Sequence, residues 1–357
     1  MRQLLASMVL SVTVLLSMPA DSAAQDARVA ASNTSGARTV NLAFSKDGHR
    51  LREIQSVSSV TPGNFWSVRA ITYDATKGSM IHSFNFEPDA WFFSATSDGR
   101  SAIISINRDR QDAQVHLLMV DMDTGKTEVI PSKWFDPEDD KPYSEISADG
   151  RLVSAYTESN LKDGQVVTLY DWPTKRLVAK QLMGYPAGGI SWGGVTADGK
   201  IEFLNNRSGG DVVDPQTGRV LLSVGPRAQR SLDGSWVVDF PNLLYGDAPR
   251  KVLIKNGMNG RVVGKLDVQI KDEEEKGKWA WARGAFCGTT GSFVAATKDT
   301  VQVFALPSGK KVAEFPAATW QDVRALKTDP TVTVACSSNA RRVAIRSGAM
   351  LTLHALN

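Results

Sequence analysis

The sequence is poor in the residues from which catalytic and metal sites are usually built. Its 357 residues include only four histidines and two cysteines. Metal ions and general bases usually need histidines close to carboxylates, but here the histidines lie far apart, at His49, His82, His116 and His354. The sequence also has no Gly-x-Ser-x-Gly elbow, glycine-rich phosphate loop or Cys-x-x-Cys pair. We therefore expect no catalytic site, no metal site and no cofactor.

Long apolar runs are absent from the sequence beyond its N-terminus. Arg2 precedes an almost uncharged run from Leu4 to Met18, and the small residues 22–24 follow it. A positive start, a short apolar run and small residues at its end are typical of a signal peptide. The sequence therefore predicts that residues 1–24 are removed after Ala24. We expect a periplasmic or secreted protein without stable membrane insertion.

Charge of one sign does not dominate the chain either. The formal net charge is +3, and the sequence contains no block of basic residues. Nucleic-acid binding usually needs a concentrated basic patch, so we expect none. Acidic residues do cluster, at 136–140 and 272–275, but neither stretch has the ligand spacing and glycine turn of a calcium loop. We interpret both as solvated loops.

Two turn motifs alternate along the chain with a period of roughly fifty residues, the hallmark of a repeat architecture. The first is an Asp-Gly pair or a variant of it, at Asp47, Asp98, Asp149, Asp198, Asp233, Thr290 and Asn339. The second places Gly or Lys four residues after the turn residue, which is Asp74, Asp121, Asp171, Asp214, Asn256 or Ala305. Such turns suit tight hairpins, because Gly adopts positive φ freely and Asp or Asn tolerates it.

The segments between these turns read as short strands. In the third unit, four runs rich in Val, Ile, Tyr and Thr are each bounded by turn residues. Several runs, such as 301–306, are apolar on both faces, as expected for a sheet covered on both sides. Seven turn positions therefore predict an all-β fold, a seven-bladed β-propeller of four-stranded antiparallel blades.

The last predicted blade lacks one strand. Only two runs, Arg342 to Ile345 and Met350 to Leu356, follow its first turn. The segment Ala27 to Ser32 could supply the missing strand and close the ring across the termini. We therefore expect residues 25–39 to be an N-terminal segment that closes the ring. Residues 40–357 would form a single propeller domain.

The repeats resemble a known group of proteins. The Ser-x-Asp-Gly pieces at 45–48 and 147–150 and the run from Val167 to Val178 are similar to bacterial WD40-like and YVTN-type propeller repeats. The resemblance spans roughly residues 40–356. It supports the propeller fold and implies no specific ligand. The Gly-His and Trp-Asp signatures of eukaryotic WD40 repeats are not carried over, so their side-chain tetrad is not expected.

The two cysteines occupy equivalent positions in neighbouring units. Cys287 and Cys336 each lie three residues before the first turn position of their unit. Mostly apolar residues at this position elsewhere favour small buried side chains between blades. A disulfide between adjacent blades is the alternative, and it requires a Cα–Cα distance below ~7 Å. Both interpretations remain open at this stage.

Tryptophan is the most suggestive candidate for binding. Several of the nine tryptophans precede or open the first strand of a blade, namely Trp91, Trp134, Trp192, Trp279, Trp281 and Trp320. We expect them to form an aromatic face at the connections between blades, and wedges buried between blades are the competing interpretation. An aromatic face would favour a protein or peptide interaction module. Two alternatives are a propeller enzyme or quinoprotein-like subunit, and a binder of carbohydrate or another small molecule.

Overall fold

The computed structural model describes most of the chain from Ala27 onwards. The described residues are 27–29, 37–58, 66–86, 90–107, 115–135, 143–157, 165–183, 192–196, 199–205, 209–225, 228–240, 251–268, 283–288, 291–297, 299–317, 332–347 and 350–356. They contain 28 β-strands and one 3-10 turn at Ser132–Trp134. Among them, no helix has the length and apolar character needed to cross a bilayer. The predicted signal peptide lies outside the described residues.

The strands form seven four-stranded antiparallel sheets, numbered here in chain order. The first sheet contains β2 (Ala37–Phe44), β3 (Arg50–Ser58), β4 (Trp66–Asp74) and β5 (Met80–Asn85). The second contains β6 (Ala90–Ala95), β7 (Ser101–Asn107), β8 (Val115–Asp121) and β9 (Thr127–Val129). The third contains β10 (Tyr143–Ile146), β11 (Leu152–Thr157), β12 (Gln165–Asp171) and β13 (Arg176–Met183).

The remaining sheets follow the same order. The fourth contains β14 (Trp192–Val195), β15 (Ile201–Asn205), β16 (Gly209–Val213) and β17 (Val220–Val224). The fifth contains β18 (Gln229–Arg230), β19 (Trp236–Asp239), β20 (Leu253–Asn256) and β21 (Val262–Lys265). The sixth contains β22 (Arg283–Phe286), β23 (Ser292–Ala296), β24 (Thr300–Ala305) and β25 (Lys310–Pro316). The seventh contains β26 (Val332–Cys336), β27 (Arg342–Ser347), β28 (Met350–Ala355) and β1 (Ala27–Val29).

The core is divided among seven apolar clusters, each shared by two successive sheets. Ile103 and Leu117 of the second sheet pack with Ile146 and Val153 of the third, for example. Equivalent clusters join each further pair of neighbours, including the seventh sheet and the first. Each sheet is therefore covered on both faces, which explains why strands such as β24 carry apolar residues on both sides. The protein is an all-β propeller with four-stranded antiparallel blades.

The first strand of each sheet lies closest to the ring axis. The first strands of neighbouring sheets contact one another, as β2 contacts β26 and β10 contacts β6 and β14. The last strand of each sheet lies at the rim, where several of its apolar side chains remain exposed, such as Ile81, Leu177 and Val312. Residues near the ends of the first strands are thus placed around the axis.

The chain termini meet in the seventh sheet. Strand β1 pairs antiparallel with β28, with Ala27 opposite Leu353 and Val29 opposite Leu351. It supplies the outer strand that the last repeat lacks. The sequence predicted this strand within Ala27 to Ser32, and the structure has it at Ala27–Val29.

A buried ion pair also joins the first and seventh sheets. Arg346 Nε lies 3.0 Å from Oε1 of Glu53, which is fully buried. The same carboxylate accepts hydrogen bonds from Tyr73 Oη (2.9 Å), Gln55 Nε2 (3.0 Å) and the Thr39 hydroxyl. A buried carboxylate is tolerated only when it is paired and hydrogen-bonded in this way. This network therefore depends on correct contact between the two sheets.

Deleting residues 25–35 should destabilise the propeller. The deletion removes the β1 ladder, which we estimate at about 2–3 kcal/mol from about 1 kcal/mol per hydrogen bond. Chemical unfolding of chains that begin at residue 25 and at residue 36 measures the difference. Equal unfolding free energies for the two chains would contradict the role of β1.

Breaking the Glu53–Arg346 pair on one side should cost about 3–5 kcal/mol, because it leaves a buried unpaired charge. Glu53→Leu and Arg346→Met are the single variants. The double variant removes both charges and should be more stable than either single variant. As a control, Glu314→Ala removes an exposed pair with Lys311 and should change stability by less than about 1 kcal/mol. Additive losses in the double variant would argue against charge coupling.

Candidate functional site

The first turn motif is built around a hydroxyl two residues before the Asp. In the third sheet, Ser147 Oγ donates to Asp149 Oδ1 (2.6 Å) and accepts from the N–H of Leu152 (2.8 Å). Asp149 Oδ1 also accepts from the N–H of Arg151 (2.9 Å). Gly150 completes the turn with φ of 77°, a conformation that favours glycine. The motif thus fixes the backbone and engages one oxygen of its carboxylate within the turn.

The two turn motifs of a sheet lie side by side. In the third and fifth sheets, the residue after the second-motif Asp or Asn donates its N–H to a carbonyl at the first turn, from Trp172 to Arg151 (2.7 Å) and from Gly257 to Ser235 (2.8 Å). We call the end of the ring that carries these turns the turn face. The opposite end, where the chain passes from one sheet to the next, is the connection face.

The first turns of neighbouring sheets are also hydrogen-bonded to each other around the axis. Ser97 donates to the carbonyl of Ala148 from both its N–H and its Oγ (3.0 Å each). Ser338 Oγ donates to the carbonyl of Lys46 (2.7 Å), which joins the seventh sheet to the first. These residues occupy the second position of the Ser-x-Asp-Gly motif. The motif therefore contributes to the ring as well as to its own hairpin.

These turns surround a cavity of about 540 Å³ at the turn-face end of the axis, which we call the axial pocket. The described residues that line it come from six of the seven sheets. Charged side chains in it are Lys46, Asp98, Asp149 and Arg230, and apolar side chains include Phe44, Leu232 and Phe286. An apolar cavity with a few converging charged groups is the usual form of a ligand site.

Arg230 stands at a position that is uncharged in the other six repeats. The equivalent residues are Phe44, Ala95, Ile146, Val195, Cys287 and Cys336. The guanidinium is partly buried, and its Nη1 donates to the carbonyl of Gly257 (2.8 Å) in the second turn of the same sheet. The sequence comparison of repeats exposes this exception, but it does not show that the side chain lines the pocket.

The two cysteines form a disulfide beside the axial pocket. Cys287 and Cys336 are bonded, with their Cα atoms 4.8 Å apart. The interpretation as unpaired buried residues is therefore wrong. Equivalent points on neighbouring blades are close enough to bridge here because both cysteines lie at the axial end of first strands, where blades converge. The bond links the sixth sheet to the seventh, and Cys336 contributes to the pocket lining.

A second, shallower cleft of about 430 Å³ lies between the first and second sheets on the turn face. Arg52 holds it together, since Nε and Nη2 bind the two oxygens of Asp123 (3.0 and 2.9 Å) and Nη1 donates to the carbonyl of Asp98 (2.6 Å). Arg50 approaches the same carboxylate at 3.2 Å. Burial opposes ionisation of Asp123, but the Arg52 hydrogen bond and charge outweigh it and lower its pKa. Arg50, Arg52 and Asp123 are therefore paired with one another within the cleft.

Three acids of the second motif have a lowered pKa because their own turns donate hydrogen bonds to them. Asp171 Oδ1 accepts from the hydroxyl (2.7 Å) and N–H (3.0 Å) of Thr174, and Oδ2 accepts from Arg151 Nε (3.0 Å). These bonds, the Thr174 hydroxyl first, lower the pKa of Asp171 to about 2. Backbone N–H donors likewise lower the pKa of Asp74 and Asp214. The acidic turns are thus structural, as the sequence predicted.

The predicted tryptophan set includes both a buried and an exposed residue in the structure. Trp134 is 6% exposed, because it stacks on Tyr170 with ring centroids 3.9 Å apart and meets Trp172 edge-on. It seals the cluster between the second and third sheets, so the interpretation of Trp134 as an exposed binding residue is wrong. Trp91, in contrast, is 54% exposed near the start of β6.

Of the other members of the tryptophan set, Trp192 alone lies within the described residues. Trp192 opens β14 at the same end of the ring as Trp91. Trp279, Trp281 and Trp320 lie outside the described residues, as do both acidic stretches. The aromatic face at the connections therefore remains a prediction for these positions.

The histidines that the structure describes do not converge. His354 is buried against Phe315, and His82 Nε2 lies 3.3 Å from the carbonyl oxygen of Met122. Among the described residues, no group of three or more His, Cys, Asp or Glu side chains is arranged to hold a metal ion.

Acidic pH should reduce the contribution of the Asp171 turn to the free energy of unfolding. Folding lowers the pKa of Asp171 from 3.8 to about 2, so its ionised form stabilises the folded state above pH 3.8, and this effect is lost as the pH falls from about 4 to about 2. We expect Asp171→Asn to destabilise the protein at pH 6 and to have a clearly smaller effect near pH 2.5, measured by urea unfolding.

The fifth repeat offers a matched control for this prediction. Asn256 accepts the equivalent N–H bonds, from Met258 and Asn259, with an uncharged side chain. The effect of Asn256→Ala should therefore be similar at both pH values. An Asp171→Asn effect that does not change with pH would contradict the assignment.

Comparisons with known proteins support the fold. No protein-family model matches the chain, and no curated protein matches it. The chain is similar to one in a solved structure titled "Crystal Structure of Mitotic Checkpoint Complex", with a TM-score of 0.58 and 10% sequence identity over 99% of both chains. At this identity the likeness concerns the fold alone. Together with the sheet topology, it indicates a WD40-like β-propeller.

Proposed function

We propose that this protein is a seven-bladed propeller that acts in the periplasm or outside the cell as an interaction module for a protein or peptide. The seven four-stranded sheets and the seven clusters between them support seven blades. Every blade then serves mainly to hold the ends of the first strands in place around the axis. The function lies in the residues presented there.

Exposed Trp91 is the observation that carries this proposal. Its side chain is 54% exposed on a first strand, although large aromatic residues usually bury most of their surface. Trp192 begins the first strand of the fourth sheet at the same end of the ring. Trp279, Trp281 and Trp320 precede first strands in sequence and would extend the same face. Tryptophan contributes disproportionately to binding energy at protein interfaces, so the connection face is the proposed docking surface.

The disulfide supports export. Disulfides persist mainly in oxidising compartments such as the periplasm and the extracellular space, and Cys287–Cys336 is such a bond. A signal peptide over residues 1–24 would deliver the chain there, with Gln25 as the new N-terminus. The structural neighbour comes from a structure titled as a protein complex, which is compatible with a propeller that binds other proteins.

The proposal is tested by replacing Trp91 and recovering partners from a periplasmic extract. Trp91→Ala should reduce the recovered partner about tenfold or more, since loss of a central aromatic contact commonly costs about 2 kcal/mol or more. The matched control is Leu177→Ala, which removes a side chain of similar exposure (56%) from an outer strand. Thermal unfolding of each variant checks that the fold is retained.

Equal recovery by wild type, Trp91→Ala and Leu177→Ala would count against the connection face as the docking surface. Trp134 is unsuitable for this experiment. Its removal would open a cavity in the core at a cost of about 3–5 kcal/mol.

A further inference from the structure

We propose that the Cys287–Cys336 disulfide is a redox-sensitive latch that opens from the axial pocket, with Cys336 as the residue that takes up a low-molecular-weight thiol. When the thiol is attached, it occupies part of the pocket, and the sixth and seventh sheets lose their covalent link. This inference concerns the turn face and does not depend on the docking surface proposed above.

The two sulfur atoms of the bond differ in their access to solvent. Cys287 is fully buried in the apolar cluster between the sixth and seventh sheets, together with Val294 and Val343. Cys336 packs against the same cluster but is only partly buried, and it lines the axial pocket, which Cys287 does not. Thiol–disulfide exchange depends on which sulfur the attacking thiolate can reach. A thiol from solvent therefore attacks Cys336.

The residue after Cys287 packs closely against the neighbouring turn. A Cβ atom at Gly288 would lie 2.8 Å from both the Cα atom and the carbonyl oxygen of Ser338 in the seventh sheet. The φ of Gly288 is 55°, which also favours glycine at this position. This close contact between the two turns agrees with the complete burial of Cys287. It leaves the axial pocket as the route to the disulfide.

The exchange proceeds in two steps. In the first, the thiolate bonds to Sγ of Cys336, the disulfide bond breaks, and Sγ of Cys287 leaves with the bonding electrons and takes a proton from water. In the second, another thiolate attacks the mixed disulfide and releases Cys336 as a thiolate together with a small disulfide. The small thiol is thereby oxidised and the protein disulfide is reduced.

Burial of Cys287 controls the rate of this exchange. An apolar environment disfavours a charged sulfur, and the thiolate is the reactive form of cysteine. Cys287 is therefore a poor leaving group in the first step, and once protonated it attacks the mixed disulfide slowly in return. The latch opens slowly as a result, and the thiol is retained on Cys336.

The latch closes a long loop, because its cysteines are 49 residues apart in sequence. A disulfide stabilises mainly by restricting the unfolded chain, and more so for longer loops. The double variant Cys287→Ala/Cys336→Ala should therefore melt at least about 5 °C below the oxidised wild type. Equal melting temperatures would contradict a latch.

The site of attack can be mapped on the wild-type protein. The oxidised chain beginning at residue 25 is incubated with mercaptoethanol, quenched with acid and digested for peptide mass spectrometry. The adduct should be at least about tenfold more abundant on Cys336 than on Cys287. Equal adducts on both cysteines, or a preference for Cys287, would overturn the proposal. So would a disulfide that reacts only when urea unfolds the chain.

A matched pair of single variants tests the difference in access independently. Cys287→Ala leaves the thiol of Cys336, and Cys336→Ala leaves the thiol of Cys287. In the folded state, dithionitrobenzoate should modify Cys336 at least about tenfold faster than Cys287. Both thiols should react at similar rates in urea, which controls for their intrinsic reactivity. Similar rates in the folded variants would count decisively against the proposed polarity of the bond.

A bulky side chain in the pocket tests the route to Cys336. Ala148 lines the axial pocket from the third sheet, so Ala148→Trp should slow adduct formation about tenfold by restricting access. The matched control is Gln216→Trp, in an exposed turn of the fourth sheet that does not line the pocket, and it should leave the rate unchanged. Trp91→Ala should also leave it unchanged, so a failure of the connection-face proposal is distinguishable from a failure here. An unchanged rate in folded Ala148→Trp would contradict the pocket as the route.

Discussion

Packing of each sheet between two neighbours is the constraint on which the rest of this structure depends. A four-stranded sheet that is apolar on both faces cannot be stable alone, since one face would always meet water. The seven shared clusters meet this requirement for every sheet, but only because the seventh sheet packs against the first. Closure is therefore part of the core, and the elements that secure it have a stabilising role that no single repeat shows.

Three different kinds of interaction concentrate at this closure. Strand β1 extends the seventh sheet by backbone pairing, Arg346 reaches Glu53 across the joint, and Ser338 Oγ binds the carbonyl of Lys46 at the axis. The backbone pairing of β1 does not depend on the identity of its side chains, whereas the buried ion pair forms only when Arg346 and Glu53 face each other. Together they specify which two sheets meet and in which register.

The repeat pattern made much of the fold predictable. The turn residues mark hairpins at fixed places, and the missing strand of the last repeat pointed to a segment before the first one. The contacts between sheets were harder to predict, because the sequence shows which positions of two repeats are equivalent but not how far apart they lie in space. Cys287 and Cys336 illustrate this, since only the convergence of first strands at the axis brings them together. Trp134 is the converse case, in which a residue placed in a connection folds back into the core through a short 3-10 turn.

The candidate sites were predictable only in part for the same reason. Exposure of Trp91 depends on packing around it, which the sequence does not reveal. Arg230 carried a signal, namely a charged residue at a position where six equivalent residues are uncharged. The sequence did not reveal the direction of that side chain, whose Nη1 donates to the carbonyl of Gly257 in the structure.

The disulfide has a mechanical consequence for the ring as a whole. It reinforces the joint between the sixth and seventh sheets, directly beside the closure, so covalent and ionic restraints accumulate on one side of the circle. Elsewhere in the circle, the first strand of the fifth sheet is only two residues long and pairs with its neighbour at two positions. Amide exchange should therefore begin at this inner strand, whereas the disulfide keeps the inner strands of the sixth and seventh sheets together even when their hydrogen bonds open.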